Sequence, residues 1–188
     1  MRRLILRALN APALILFAIF GVALQTSLFQ SWPLLYMQPD MVLLLVVWVA
    51  LKREFLEGGI VTLLISDIAE IHSSAPKGSF MICYMVVYLL IRLATKLFVI
   101  PSAGPLTFLT LSASIVWKAV LLGVLYTLGA MTNQWKHTLI LLFPGALIEA
   151  AIGMWTYPLL EKFDRNTFRN PFAEKALDDE LQLEGEGF

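Results

Sequence analysis

The sequence predicts an all-α membrane protein, a bundle of six transmembrane helices. Three observations lead there. Of the 188 residues, 59% are apolar and only 15% charged, with a mean hydropathy of +0.76. A soluble domain carries about 25% charged residues, and a chain this short has no core large enough to keep the surplus apolar surface from water. Apolar stretches also recur at about the 20 residues a helix needs to cross the roughly 30 Å hydrocarbon layer. Finally, the basic residues between those stretches are rich on one side and sparse on the other, as the positive-inside rule requires.

Taken in order, the predicted spans cover about 8–30, 39–51, 56–72, 79–98, 105–130 and 138–160, a bundle over residues 1–160. The first follows a basic start, Met1-Arg2-Arg3-Leu4-Ile5-Leu6-Arg7, that looks like a secretory leader. Residues 8–39 carry no charge and no small-residue cleavage site, so the stretch is too long for a leader and reads as a retained span. The second is the shortest. Only eleven uncharged residues separate Asp40 from Lys52, about 17 Å of helix. A re-entrant hairpin over 39–72 is the alternative, and it leaves the sidedness of everything else unchanged. Residues 161–188, with Asp178-Asp179-Glu180 and Glu184-Gly185-Glu186, read as a solvated, acidic cytoplasmic tail.

With the N-terminus inside, the cytoplasmic face collects Arg2, Arg3, Arg7, Lys52, Arg53, Arg92, Lys96, Lys162 and Arg165, against Lys77 and Lys136 opposite. This bias supports an even number of spans and two cytoplasmic termini. Trp32, Tyr36, Trp135 and Tyr157 fall near predicted interfaces, where aromatic belts form.

Several function classes are excluded. Zero net charge gives no footprint for nucleic acid. Cys83 is the single cysteine and can form no intrachain disulfide; His72 and His137 lie near span ends, and no Cys/His cluster suits a metal. The chain has no phosphate-binding glycine loop, nucleophile elbow or HExxH motif, and Ser66 beside Asp67 lacks a nearby histidine. No catalytic residue, cofactor or metal is expected.

Charges inside the spans stand out. Asp67, Arg92, Lys118 and Glu149 fall well within them, and Glu70 lies near the outer end of the third. Each is costly in lipid and should face protein or water. Lys118 lies roughly 20 Å from the inner face and Glu149 roughly 18 Å from the outer face at 1.5 Å per residue. Both are therefore near mid-depth on consecutive antiparallel helices, where an ion pair forms easily. Asp67, roughly 16 Å from the inner face, is a second possible partner for Lys118. Such a centre is either a polar clasp that fixes helix packing or part of an ion pathway; the few polar residues on these helices favour the clasp. Arg92 and Lys96, spaced i, i+4 near the inner end, are expected to snorkel to the headgroups. Gly145, Glu149 and Gly153 recur every four residues with Ala146 and Ala150 alongside. This small-residue stripe admits a close helix, either within the bundle or from a partner.

Local patterns over about residues 15–100 resemble the MreD family of bacterial rod-shape-determining membrane proteins. Span 1 ends Leu24-Gln25-Thr26-Ser27, and span 2 opens Gln38-Pro39-Asp40-Met41 before a Leu/Val run. The charged turn Lys52-Arg53-Glu54 follows; span 3 begins Glu57-Gly58-Gly59 and contains Asp67; the turn Ser74-Ala75-Pro76-Lys77-Gly78 precedes span 4. Gln25, Pro39, Asp40, Gly59, Asp67, Pro76 and Gly78 are thus the family-like positions. Leu63 stands where the family often has a second glycine, and the turn before Gly78 is a few residues longer. The resemblance implies a non-enzymatic scaffold of the cell-elongation complex in the bacterial inner membrane. It would associate with MreC directly, and through it with the MreB filament and the peptidoglycan synthases. The family's six-helix fold is similar to the substrate-binding components of vitamin ECF transporters, so a small-molecule-binding subunit is the alternative. Such subunits tend to carry Ala-x-x-x-Ala on span 1, whereas no two of Ala11, Ala13, Ala18 and Ala23 are four apart.

Overall fold

The computed structural model describes residues 2–28, 39–97, 103–130 and 134–167. Among these residues are six α-helices and no strand: α1 (Arg2–Leu28), α2 (Met41–Lys52), α3 (Phe55–Ile71), α4 (Ser79–Leu97), α5 (Ala103–Thr127) and α6 (Gln134–Asn166). Three stretches, Asn10–Leu28, Ser79–Lys96 and Leu106–Thr127, are long and apolar enough to cross a membrane. Large apolar side chains point outward, among them Phe20, Phe108 and Trp155, as suits a bundle whose solvent is lipid.

The architecture turns on α2. Its residues 42–50 are all buried. A helix apolar on every side must be covered on every side, and α2 packs against each of α1, α3, α4, α5 and α6. The other five form a ring around it. Contacts run α1 to α3, α3 to α4, α4 to α5 and α5 to α6. The Phe17 and Phe163 rings, 6.2 Å apart, close the circle between α1 and α6. At twelve residues α2 is about 18 Å long, well short of the hydrocarbon thickness. It is apolar because protein surrounds it.

Polar groups set the helix ends. Asp40 caps α2, its Oδ1 accepting the Leu43 N–H at 2.9 Å. Glu70 caps the following helix rather than its own: its carboxylate accepts the N–H groups of Gly78 at 2.5 Å, Phe80 at 3.2 Å and Met81 at 3.5 Å at the start of α4. The tight turn that permits this needs a left-handed residue, and Gly78 supplies it at φ +87°. α6 continues to Asn166, past the expected span end near 160, and buries Leu160 and Asp164. Residues 161–166 are therefore helical, with Phe163 and Asp164 turned into the bundle and Glu161, Lys162, Arg165 and Asn166 exposed. The rest of the predicted tail lies outside the described residues.

Candidate functional site: two buried charge clusters

The first cluster lies where α2 begins. Lys118 on α5 donates from Nζ to Ser114 Oγ, one turn back on the same face, at 3.1 Å, and to Glu149 Oε1 on α6 at 3.3 Å. The Glu149 side chain is 2% exposed and that of Lys118 13%. Gly145, one turn before Glu149, makes the space: a Cβ there would stand 2.8 Å from Lys118 Nζ. Ala146 and Ala150 are buried, and a Cβ at Gly153 would press on Tyr157 at 3.0 Å and Leu44 at 3.4 Å. The small-residue stripe therefore faces α5 and α2, within the bundle.

A second carboxylate completes the cluster. Asp40 Oδ2 accepts the Tyr84 hydroxyl at 2.7 Å, and Asp40 is close enough to Lys118 and Glu149 to interact with both electrostatically. Phe80, Tyr84 and Trp117, whose rings lie 5.5–6.0 Å apart, bring an aromatic cluster from α4 and α5 to the Tyr84 hydroxyl that Asp40 accepts. One Glu149 oxygen, Oε2, has no hydrogen-bond partner among the described residues. Asp67 is not here. It is exposed on α3, because Thr62, Ile65, Ser66 and Ala69 occupy the buried face of that helix and Asp67 falls on the opposite one. The carboxylate paired with Lys118 is that of Glu149, and Asp40 bonds Tyr84 and the Leu43 N–H.

The second cluster lies at the other end of α2, and sequence reasoning missed it. Arg53 Nη2 donates to Asp164 Oδ1 at 2.6 Å and to Asn10 Oδ1 at 2.7 Å. Asn10 Nδ2 in turn donates to Asp164 Oδ1 at 3.0 Å and to Thr167 Oγ1 at 2.6 Å. Asn10, Arg53 and Asp164 are all buried, tying α1, the end of α2 and α6 together. The available signal was Asn10, the first of the side-chain amides in a charge-free apolar run and the one nearest its basic start. Arg92, expected to snorkel, instead donates from Nη1 to the Ala50 carbonyl at 3.2 Å. That carbonyl belongs to the last turn of α2, where no intrahelical donor remains. The central helix thus has an acidic group at its N-terminus and two guanidinium groups at its C-terminus, the signs its macrodipole favours.

The other family-like positions serve local structure. Pro39 is buried, and the Pro76 carbonyl accepts the Ser79 N–H at 3.1 Å. Gln25 is half-buried and has a partner. A Cβ on Gly59 would lie a comfortable 3.9 Å from Tyr88, whereas on Gly58 it would stand 2.7 Å from the Tyr88 hydroxyl. That hydroxyl donates to the Phe55 carbonyl at 2.6 Å, so Gly58 is the glycine that close packing requires.

Chemically, both clusters hold opposite charges against each other in the buried interior. Among the described residues no group of three or more His, Cys, Asp or Glu could hold a metal ion, and Cys83 is buried. Comparison of the chain with protein-family models, with curated proteins and with solved structures gives no match.

Proposed function

We propose that this chain is a non-enzymatic membrane scaffold of the cell-elongation complex, the machinery of rod shape and peptidoglycan synthesis. All six helices would lie in the bacterial inner membrane with both termini in the cytoplasm. The scaffold would associate with MreC, and more distantly with MreB and the peptidoglycan synthases. The MreD-like order of motifs over residues 15–100 supports the identity of the complex. The filled centre of the bundle supports a scaffold over a ligand-binding subunit.

Small-molecule sites are usually cavities of about 300–1,000 Å³ with a few convergent polar groups. Here α2 occupies the axis with residues 42–50 buried, and the charges at its two ends are engaged with one another. A groove of about 140 Å³ between α4 and α5, lined by Val87, Leu90, Ile91, Leu109, Ala113 and Val116, is apolar and lies off that axis. It suits an acyl chain better than a polar vitamin. Rigid, internally satisfied bundles of this kind act through lateral contacts in the membrane.

Depletion in the source bacterium tests the reading. Rounding of the cells with vitamin uptake intact, together with co-purification of MreC, is the expected result. Cells that keep their rod shape after depletion would overturn it.

A further inference from the structure

Among the described residues the buried charges are paired inside the bundle, whereas Asp67, on its surface, is not. Lys118 pairs with Glu149, Arg53 with Asp164, Asp40 with Tyr84, and Arg92 with the Ala50 carbonyl. Asp67 makes no hydrogen bond or ion pair among the described residues and is exposed. Its neighbours on that face are Leu56, Ile60, Leu63, Leu64 and Ile71, all exposed and all apolar. Their spacing of three and four places them in one stripe with Asp67 along the outward side of α3.

Depth makes the exception costly. α3 has seventeen residues, about 25 Å of helix, and Asp67 lies about 7 Å from its nearer end. In the six-span arrangement proposed above α3 crosses the bilayer, so both its ends lie within or at the edge of a roughly 30 Å hydrocarbon layer and Asp67 lies deeper. A lysine at that depth can reach the headgroups on its long stem; an aspartate cannot. An ionisable residue in a transmembrane segment is expected to face protein, water or an opposite charge, and this one faces outward.

We infer that the outward face of α3, centred on Asp67, docks one transmembrane helix of another protein that carries a lysine or arginine in its apolar segment, level with Asp67. Charge complementarity selects this occupant. A second copy of the chain fits badly, because a two-fold contact on this face turns Asp67 toward Asp67. Lipid alone leaves the carboxylate without a partner. Leu56, Ile60, Leu63 and Leu64 would supply the apolar packing and Asp67 the register, as a single polar residue does in a coiled-coil seam. The inference rests on the scaffold reading and names where its lateral contact lies.

The test uses the full chain, dye-labelled and reconstituted in phosphatidylcholine/phosphatidylglycerol vesicles. It is titrated with labelled leucine–alanine transmembrane peptides carrying either one lysine, placed about 7 Å below one end of the apolar segment, or leucine there. Energy transfer should show the lysine peptide associating about 10-fold more tightly than the leucine peptide. Asp67→Leu should erase that preference, and Asp67→Lys should transfer it to a peptide with glutamate at the same place. Asp67 is exposed and makes no hydrogen bond or ion pair among the described residues, so these variants should keep wild-type thermal unfolding. Ile60→Trp, which only adds bulk to the face, should block the lysine peptide independently. Equal binding of the two peptides to the wild type, or a preference that survives Asp67→Leu, would overturn the inference. So would Leu64→Cys copies that cross-link to one another while the lysine peptide fails to bind. The vesicle assay reads the α3 face and the depletion phenotype reads the scaffold role, so each can fail without the other.

Discussion

Replacing Lys118 by methionine isolates the central ion pair. The side chain keeps most of its volume and loses its charge. Nζ stands 3.3 Å from Glu149 Oε1; at an effective dielectric of about 20 the attraction is about 5 kcal/mol. The variant leaves Glu149 buried without its cation, and Oε2 already lacks a partner. Asp40 suffers less, because the Tyr84 hydroxyl and the Leu43 N–H still hold it. Stripping one partner from a buried pair costs about 3–5 kcal/mol, which lowers the folded-to-unfolded ratio by between about two and four decades. Adding Glu149→Gln removes the stranded charge, and the double variant should return to within about 1–2 kcal/mol of wild type, because a buried pair is worth little against neutral groups of the same shape. Reversible unfolding in mixed detergent micelles, followed by tryptophan fluorescence, measures all three proteins. A loss under about 1 kcal/mol for Lys118→Met, or a double variant no more stable than the single, would refute the reasoning. The straight swap Lys118→Glu with Glu149→Lys is a poorer test, because Asp40 stays beside position 118.

Asp164→Ala should cost about 3–5 kcal/mol in the same assay, since it leaves the Arg53 guanidinium buried without its carboxylate; an unchanged midpoint would show that the second cluster is not structural. Glu70→Ala should cost about 1–2 kcal/mol and speed hydrogen exchange at the amides of Gly78, Phe80 and Met81, leaving protection along α2 as it was. Gly58→Ala should destabilise by about 1–3 kcal/mol, because the new methyl displaces the Tyr88 ring and its bond to Phe55, whereas Gly59→Ala should be nearly neutral.

Much of the helical framework was legible before the structure. Runs of about twenty apolar residues mark α1, α4 and α5 without ambiguity. Depth counting along two antiparallel helices was enough to bring Lys118 to Glu149, because rise per residue is constant and the intervening loop is short. The same counting failed for Asp67. It sets height along the helix axis and says nothing about rotation around it, and Asp67 has a suitable height on the wrong face. Arg53 and Arg92 were masked in another way: both match the basic cytoplasmic side, so the positive-inside bias accounted for Arg53 and snorkelling for Arg92 with no buried partner needed. Arg53 finds Asp164 across 111 positions of sequence and Tyr84 finds Asp40 across 44. No local pattern connects residues so far apart. Gly58, too, was indistinguishable from Gly59 until Tyr88 was placed against it.

By itself the sequence determined that the chain is helical, that several of its helices are apolar enough to cross a membrane, and that a few charges fall inside those apolar stretches. Only the tertiary structure decided which apolar helix is enclosed by protein and which turns its side chains outward. Hydropathy measures the free energy of leaving water, and that term is nearly the same whether the destination is a hydrocarbon chain or a neighbouring leucine. A short helix buried on all sides and a weak transmembrane span therefore look alike until the ring of α1, α3, α4, α5 and α6 is seen to close around α2. The partners of the charges depend on the order of helices in that ring and the rotation of each about its axis, and these are properties of the packed bundle alone.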